Sequence, residues 1–130
     1  YLSRVADIKN NNGTNYCIID GGINHISYYG QTLAMKIPVI WQLNEAQQSS
    51  ETYTVCGSLC TTADVIVRKV PLSGLKIGDT LAFCNMGAYS ITEGIYLFLS
   101  RRMPRVVLYS QKTGAVLARD YIETHTFNSL

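Results

Sequence analysis

Apolar and polar positions alternate from Tyr1 to Lys9, the two-residue period of a strand with one face buried. Asn11-Asn12-Gly13 then predicts a turn, and the apolar run Tyr16–Asp20 returns as the second strand of a hairpin. Gly21-Gly22 breaks that strand and opens a loop through His25, Tyr28 and Tyr29. Met35–Leu43 is apolar and extended despite Pro38, which predicts a strand at a sheet edge. The stretch 44–50 is polar without a period and reads as an exposed loop.

Further strands are predicted over Glu51–Cys56, Asp64–Val70 and Thr80–Asn85. The loop Gly57–Thr62 joins the first two, and Pro71-Leu72-Ser73-Gly74 is expected to turn the chain. Gly87-Ala88-Tyr89 interrupts the pattern, and Ile91–Leu99 fits neither helix nor strand. Arg105–Ser110 and Ala115–Asp120 form a last hairpin around Lys112-Thr113-Gly114, and one helical turn follows Ile122. About seven short strands separated by turn residues predict an all-β fold, a barrel or a sandwich.

Composition agrees with a packed fold. The 130 residues suit one domain, and with 47% apolar and 15% charged residues they are too hydrophobic for disorder. The net charge of +2 is small; only Arg101, Arg102 and Arg105 cluster, so the basic stripe of a nucleic-acid binder is missing. No apolar run approaches the ~20 residues that span a bilayer. The chain begins Tyr-Leu-Ser-Arg in mid-pattern, so no secretory leader is expected and the chain is expected to be a fragment with an upstream partner.

Cysteine usage bears on compartment. Cys17, Cys56, Cys60 and Cys84 could pair in three ways, but a core of this size needs no staples. Cys17 and Cys84 lie in apolar runs, where a thiol acts as a small hydrophobe. Reduced cysteines and a cytoplasmic location are therefore expected. Cys56-x-x-x-Cys60, with His25 or His125, is a loose spacing without a second cysteine pair, so no metal site is expected.

Four segments, in order, resemble one family. Val5-Ala6-Asp7-Ile8-Lys9 through Ile18-Ile19-Asp20-Gly21-Gly22-Ile23-Asn24-His25 resembles a strand followed by an Asp-Gly-Gly loop. Val55-Cys56-Gly57-Ser58-Leu59-Cys60-Thr61-Thr62-Ala63-Asp64 resembles a Gly-Pro-x-Cys-x-x-x-Asp segment, with Ser58 for the proline. Leu75–Leu81 with Asn85-Met86-Gly87-Ala88-Tyr89 resembles a Gly-Asp strand and a Gly-Ala-Tyr turn. Phe98-Leu99-Ser100 before Met103–Leu108 resembles a closing strand. The set is similar to the C-terminal domain of the pyridoxal-phosphate-dependent diaminopimelate and ornithine decarboxylases.

That resemblance implies a Greek-key β-domain over residues 1–130, preceded by an α/β barrel that holds pyridoxal 5'-phosphate and its lysine. It implies a homodimer whose active sites lie between subunits, each β-domain lending side chains to its partner's cofactor. Cys60 would be the catalytic acid, returning a proton to the substrate carbon after carbon dioxide leaves. A thiol, with a reference pKa of about 8.5, suits that task near neutral pH. Tyr89 would hydrogen-bond the cofactor phosphate as a neutral donor. Asp64 would brace the cysteine loop, and Asp20, Thr61 and His25 would stand near the substrate or support the site.

Departures from the family pattern narrow the substrate. The acidic residue that follows the cysteine in enzymes acting on diamino acids is Thr61 here. The Arg-Pro of diaminopimelate enzymes is replaced by Ile26-Ser27-Tyr28-Tyr29. A buried ammonium without a counterion is costly, so ornithine, lysine and diaminopimelate are disfavoured. The Cys-Thr-x-x-Asp form, Asn24-His25 and Phe98-Leu99-Ser100 resemble the biosynthetic branch, some members of which act on carrier-tethered amino-acyl groups or siderophore-type intermediates.

Plainer readings stand beside these. A lone cysteine is most often a packed thiol, a tyrosine after Gly-Ala a packed aromatic, an aspartate at a strand start a turn cap, and an aspartate before two glycines a turn former. His25 is equally readable as a solvated loop residue. Two other functions fit the layout: a non-enzymatic β-barrel that binds a protein or peptide, and a barrel-plus-β-domain enzyme of the alanine racemase kind.

Overall fold

The structure is a computed structural model that describes residues 1–27, 39–44 and 50–129. Its residues form two compact units, Tyr1–Gly94 and Ile95–Leu130. Tyr28, Tyr29, Pro38 and most of the loop expected at 44–50 lie outside the described residues.

The first unit is a six-stranded sheet. Strands β1 (Leu2–Asn11), β2 (Thr14–Ile19), β3 (Ile40–Gln42), β4 (Ser50–Cys56), β5 (Val65–Ser73) and β6 (Thr80–Phe83) lie in the order β3-β6-β1-β2-β4-β5. All neighbours are antiparallel except β2 and β4, which run parallel with Cys17 beside Val55. The β1–β2 hairpin turns at Asn12 and Gly13, both with positive φ, the geometry that matches strand twist and favours Asn-Gly. The fold is mostly β, as the alternating pattern predicts.

The two terminal strands of the sheet are joined to each other. The Gln42 side chain on β3 donates from Nε2 to the Ser73 carbonyl of β5 at 2.9 Å and accepts the Ser73 N–H at 2.6 Å. A carboxamide thus takes the place of a ladder rung and brings the sheet close to a closed barrel. Inside it pack Val5, Cys17, Ile19, Tyr53, Val55, Ile66, Val67, Val70, Leu72, Leu75, Leu81 and Phe83. At the β1–β6–β3 end Leu2 and Trp41 flank Ala82 in register and are 63% and 62% exposed.

Three expectations change. β5 does not turn at Pro71 but runs through it to Ser73, with Pro71 opposite Thr52. β5 is a terminal strand, so the missing N–H breaks no second ladder. The break in its alternation at Arg68-Lys69 is a register shift in which Lys69 takes a positive φ. β6 ends at Phe83, which leaves Cys84 half-buried outside the main core cluster rather than in it. Gly87-Ala88-Tyr89 is the start of a short helix, α1 (Ala88–Thr92), with Gly87 at its N-cap.

The second unit holds a 3-10 turn (Phe98–Ser100), the hairpin β7 (Val106–Ser110) and β8 (Gly114–Arg119), and a short helix α2 (His125–Asn128). Gly114 turns the hairpin at positive φ. Two guanidinium groups, those of Arg102 and Arg105, lie over the Tyr121 ring at 4.4 and 4.3 Å from its centre. Arg105 also bonds Asp120 at 2.7 Å.

Candidate functional site

In the first unit three segments that carry the candidate residues are tied together: the loop after β2 (residues 20–27), the loop between β4 and β5 (residues 57–64) and helix α1. Asp64, only 2% exposed, makes the main tie. Its Oδ1 accepts the Ile23 N–H at 2.9 Å and its Oδ2 accepts the Leu59 N–H at 2.8 Å. Each carboxylate oxygen therefore holds a different loop. The Gly57 N–H closes the 57–64 loop on the Asp64 carbonyl at 2.9 Å, and the Ser58 N–H reaches the Gly21 carbonyl at 2.8 Å.

The crossing depends on glycine. A Cβ at Gly22 or at Gly57 would run into the Asp64 carboxylate, and one at Gly57 would also meet the Gly22 backbone. Asp-Gly-Gly and Cys-Gly-Ser are thus two halves of one close approach. Asp64 sits at the start of β5 as a cap would, yet both of its oxygens are committed to loop backbone.

Cys60 is exposed at the tip of this braced loop and free of any disulfide. The other sulfurs differ. Burial pushes the Cys17 thiol up to about 12, and burial with the nearby Asp64 carboxylate raises Cys56. Cys17 is a core residue on β2, and Cys56 is half-buried at the end of β4. Among the described residues no group of three His, Cys, Asp or Glu side chains is gathered as a metal site.

Thr61 is half-buried and works within the loop: its Oγ1 accepts the Ala63 N–H at 3.3 Å, and its carbonyl accepts the Asp64 N–H at 3.2 Å. Asp20 is exposed, and its Oδ1 accepts the Ser3 hydroxyl at 2.6 Å and the Arg4 N–H at 2.9 Å. His25 is half-buried, with Nδ1 2.8 Å from the Tyr1 hydroxyl. Tyr89, on α1, is 77% exposed. The Ser27 N–H bonds the Ser90 carbonyl at 2.6 Å, which attaches α1 to the 20–27 loop.

Loop 20–27 is therefore the hub: it receives Asp64 and Ser58 from the cysteine loop and Ser90 from the tyrosine helix. Sequence reasoning missed Tyr1, just before β1, and Ser3 on it, whose side chains reach this loop. On a strand they are simply two alternating positions, and only the paired sheet brings them to Asp20 and His25. Asn24, read in the sequence only as part of the Asn24-His25 resemblance, is 1% exposed, and its Oδ1 and Nδ2 find no hydrogen-bond partner among the described residues.

The fold has counterparts. A family model described as "Pyridoxal-dependent decarboxylase, C-terminal sheet domain" matches residues 1–87. The chain is similar to the 2-[(L-alanin-3-ylcarbamoyl)methyl]-2-hydroxybutanedioate decarboxylase of Staphylococcus aureus, 29% identical over 85% of this chain and 30% of that protein. It is also similar to an L-glutamyl-[BtrI acyl-carrier protein] decarboxylase of Niallia circulans, 26% identical over 83% of this chain and 27% of that protein. Among solved structures, the diaminopimelate decarboxylase of Methanocaldococcus jannaschii in complex with L-lysine superposes with a TM-score of 0.81 at 30% identity, covering 95% of this chain and 27% of that one. The chain thus spans about 30% or less of the length of these relatives.

Proposed function

The chain belongs to the pyridoxal-dependent decarboxylases by their C-terminal sheet domain, and from that membership we propose that it completes a decarboxylase active site whose cofactor is held elsewhere in the protein. Cys60 is the catalytic acid, Tyr89 a donor to the cofactor phosphate, and Asp64 the residue that positions the cysteine loop. The observation that carries this reading is an exposed thiol at the tip of a loop locked at its base by a buried carboxylate.

This chain's own residues fit a contributing role. The described lysines Lys9, Lys69, Lys76 and Lys112 are all exposed, so none offers an enclosed amine to a cofactor. Tyr89 and Cys60 project from the surface of the first unit, where groups offered to a neighbouring domain or subunit belong. Pyridoxal phosphate, when bound, supplies the electron sink for the pair left as carbon dioxide departs. Cys60 then gives its S–H proton to that carbon: the S–H bond breaks, a C–H bond forms, and solvent reprotonates the thiolate. Tyr89 donates its O–H toward a phosphate oxygen and keeps the ring in place.

The substrate is proposed to lack a distal ammonium. Thr61 follows the cysteine, has no charge, and its hydroxyl already serves Ala63. An amino-acyl group tethered to a carrier, or one bearing further carboxylates, fits such a loop better than a free diamino acid. Decarboxylases of both substrate kinds are among the relatives, beside diaminopimelate decarboxylases at up to 30% identity, so the choice rests on Thr61.

The test uses the full-length protein with pyridoxal phosphate, following carbon dioxide release and the identity of the amine. Cys60→Ala should slow turnover by about 100-fold, the low end for loss of a general acid, or divert product toward transamination. Unchanged turnover with unchanged product would remove Cys60 from the mechanism.

A further inference from the structure

We propose that the outer face of β3, β6 and the start of β1, built on Leu2, Val39, Trp41 and Leu43, is the surface on which the cofactor-holding domain of the full-length protein packs. That the face is covered stands on this chain alone; the identity of the occupant rests on the decarboxylase reading above.

Ladder register fixes which side chains share this face. Leu81 and Phe83 on β6 are buried in the core, with Ser3 and Ile40 beside them in register. Side chains alternate along a strand, so Leu2, Ala82 and Trp41, one row across three strands, point the other way. Val39 joins the row of Cys84, whose N–H reaches its carbonyl at 2.9 Å. Leu43 joins the row of Thr80, its own N–H reaching the Thr80 carbonyl at 3.0 Å. Leu2, Val39, Trp41 and Leu43 are all exposed, with half-buried Ala82 and Cys84 among them.

A sheet face left in water is normally polar. Elsewhere this sheet obeys that rule: Lys9 on β1, Glu51 on β4, and Arg68 and Lys69 on β5 are the exposed side chains. Here four large apolar groups stand together, and Arg4, beside Thr80 in register, brings a charge only at the margin. Such a group fills a patch on the order of 300–600 Å², the size that marks an interaction surface on a monomer. It also matches one side of the contact between domains of a single chain, about 600–1,500 Å² over both sides.

Place and length name the occupant. Leu2 stands between Tyr1 and Ser3, whose side chains bond His25 and Asp20 of the hub loop at 2.8 and 2.6 Å. On the next strand, Cys84 opens the link 84–87 that leads to α1 and Tyr89. A domain that receives Tyr89 and Cys60 therefore arrives at the rim of this face. The chain spans 30% or less of the relatives it matches, so most of their length is left to supply that cover.

The experiment oxidises the full-length protein, loaded with pyridoxal phosphate, by a brief hydroxyl-radical pulse and reads each residue by mass spectrometry, corrected for intrinsic reactivity. Ile77, 65% exposed in the same unit and outside this face, is the reference for Trp41 at 62%. Trp41, Leu2 and Leu43 should react about tenfold less than Ile77, as side chains packed to interior density do. Equal corrected rates would overturn the proposal. p-Benzoylphenylalanine at position 41 then identifies what lies on the face. A photo-crosslink to the domain whose lysine is labelled by borohydride reduction with the cofactor supports the assignment. A crosslink within residues 1–130 of the same or a second copy, or to another protein, refutes it. If no lysine takes the label and no carbon dioxide is released, the decarboxylase reading fails and takes the occupant's identity with it. An active enzyme with a reactive Trp41 sinks this proposal alone.

Discussion

Gln42 and Ser73 exchange two hydrogen bonds, at 2.9 and 2.6 Å, between the first and last strands of the six-stranded sheet. The side chain completes what backbone pairing leaves open. Gln42→Ala should lower unfolding free energy by about 1–3 kcal/mol, the cost of leaving enclosed backbone groups without partners. Gln42→Glu, which keeps an acceptor for the Ser73 N–H but offers no donor to its carbonyl, should fall between. Urea denaturation midpoints at fixed slope would check the order.

Asp64 serves two loops, so Asp64→Ala should cost more than an ordinary turn cap. Two N–H groups lose a charged acceptor at once, which at about 1.5–3 kcal/mol each predicts severe destabilisation. Asp64→Asn, which retains one acceptor oxygen, should keep one of the two attachments. Hydrogen exchange at Ile23 and Leu59 would separate these cases, the asparagine variant leaving one amide protected and the alanine variant neither.

Glycine positions should divide into two classes. Gly22→Ala and Gly57→Ala place a methyl group against the Asp64 carboxylate and should prevent the loops from closing. Gly13→Ala meets nothing within 4 Å, so its cost is confined to the positive φ of 78°, about 1–2 kcal/mol. Thermal midpoints that rank Gly13→Ala with the other two would contradict this account.

Alkaline pH should weaken the fold through Cys17. Burial pushes its thiol up to about 12 in the fold from an ordinary value of 9.0 in the unfolded chain. Between those values the unfolded chain holds fewer protons than the native one, so stability falls as pH rises. The contribution is fully present below pH 9 and is lost by about 12. Cys17→Ala should flatten that part of a stability–pH profile, with the Tyr1 phenol, raised in the same direction, accounting for what remains.

Alkylation should separate the cysteines by exposure. Cys60 should react in the native protein and Cys17 only on unfolding, with half-buried Cys56 and Cys84 between them. Peptide mapping after brief iodoacetamide treatment reads this order; Cys17 modified as early as Cys60 would refute it.

The parts of this molecule that were legible in its sequence are those set by neighbours along the chain. Strand alternation gave the β class, Asn12-Gly13 its first turn, and the paired glycines a loop after β2. The tie that Asp64 makes was not legible from its neighbours, since a capping aspartate looks the same until Ile23 and Leu59 come within reach of its two oxygens. Pro71 misled because a proline signals a turn unless its strand is known to be terminal. The Lys69 shift was hidden because a two-residue pattern cannot register an inserted position. Gln42–Ser73, Tyr1–His25 and Ser3–Asp20 have no local signal, since each joins residues that only the folded sheet makes adjacent.

The parallel pairing of β2 with β4 has a kinetic consequence. Each belongs to a hairpin with a short connection, β1–β2 and β4–β5, while most of the intervening chain lies between the two hairpins. Local pairs form early, and the seam between them must wait for a longer search. The segment bearing Cys60 is the connection of the second hairpin, but Ile23, to which Asp64 fastens it, follows the first. Refolding should therefore yield a chain with both ribbons formed before the Cys60 loop is fastened, and the rate of seam closure sets when that fastening occurs.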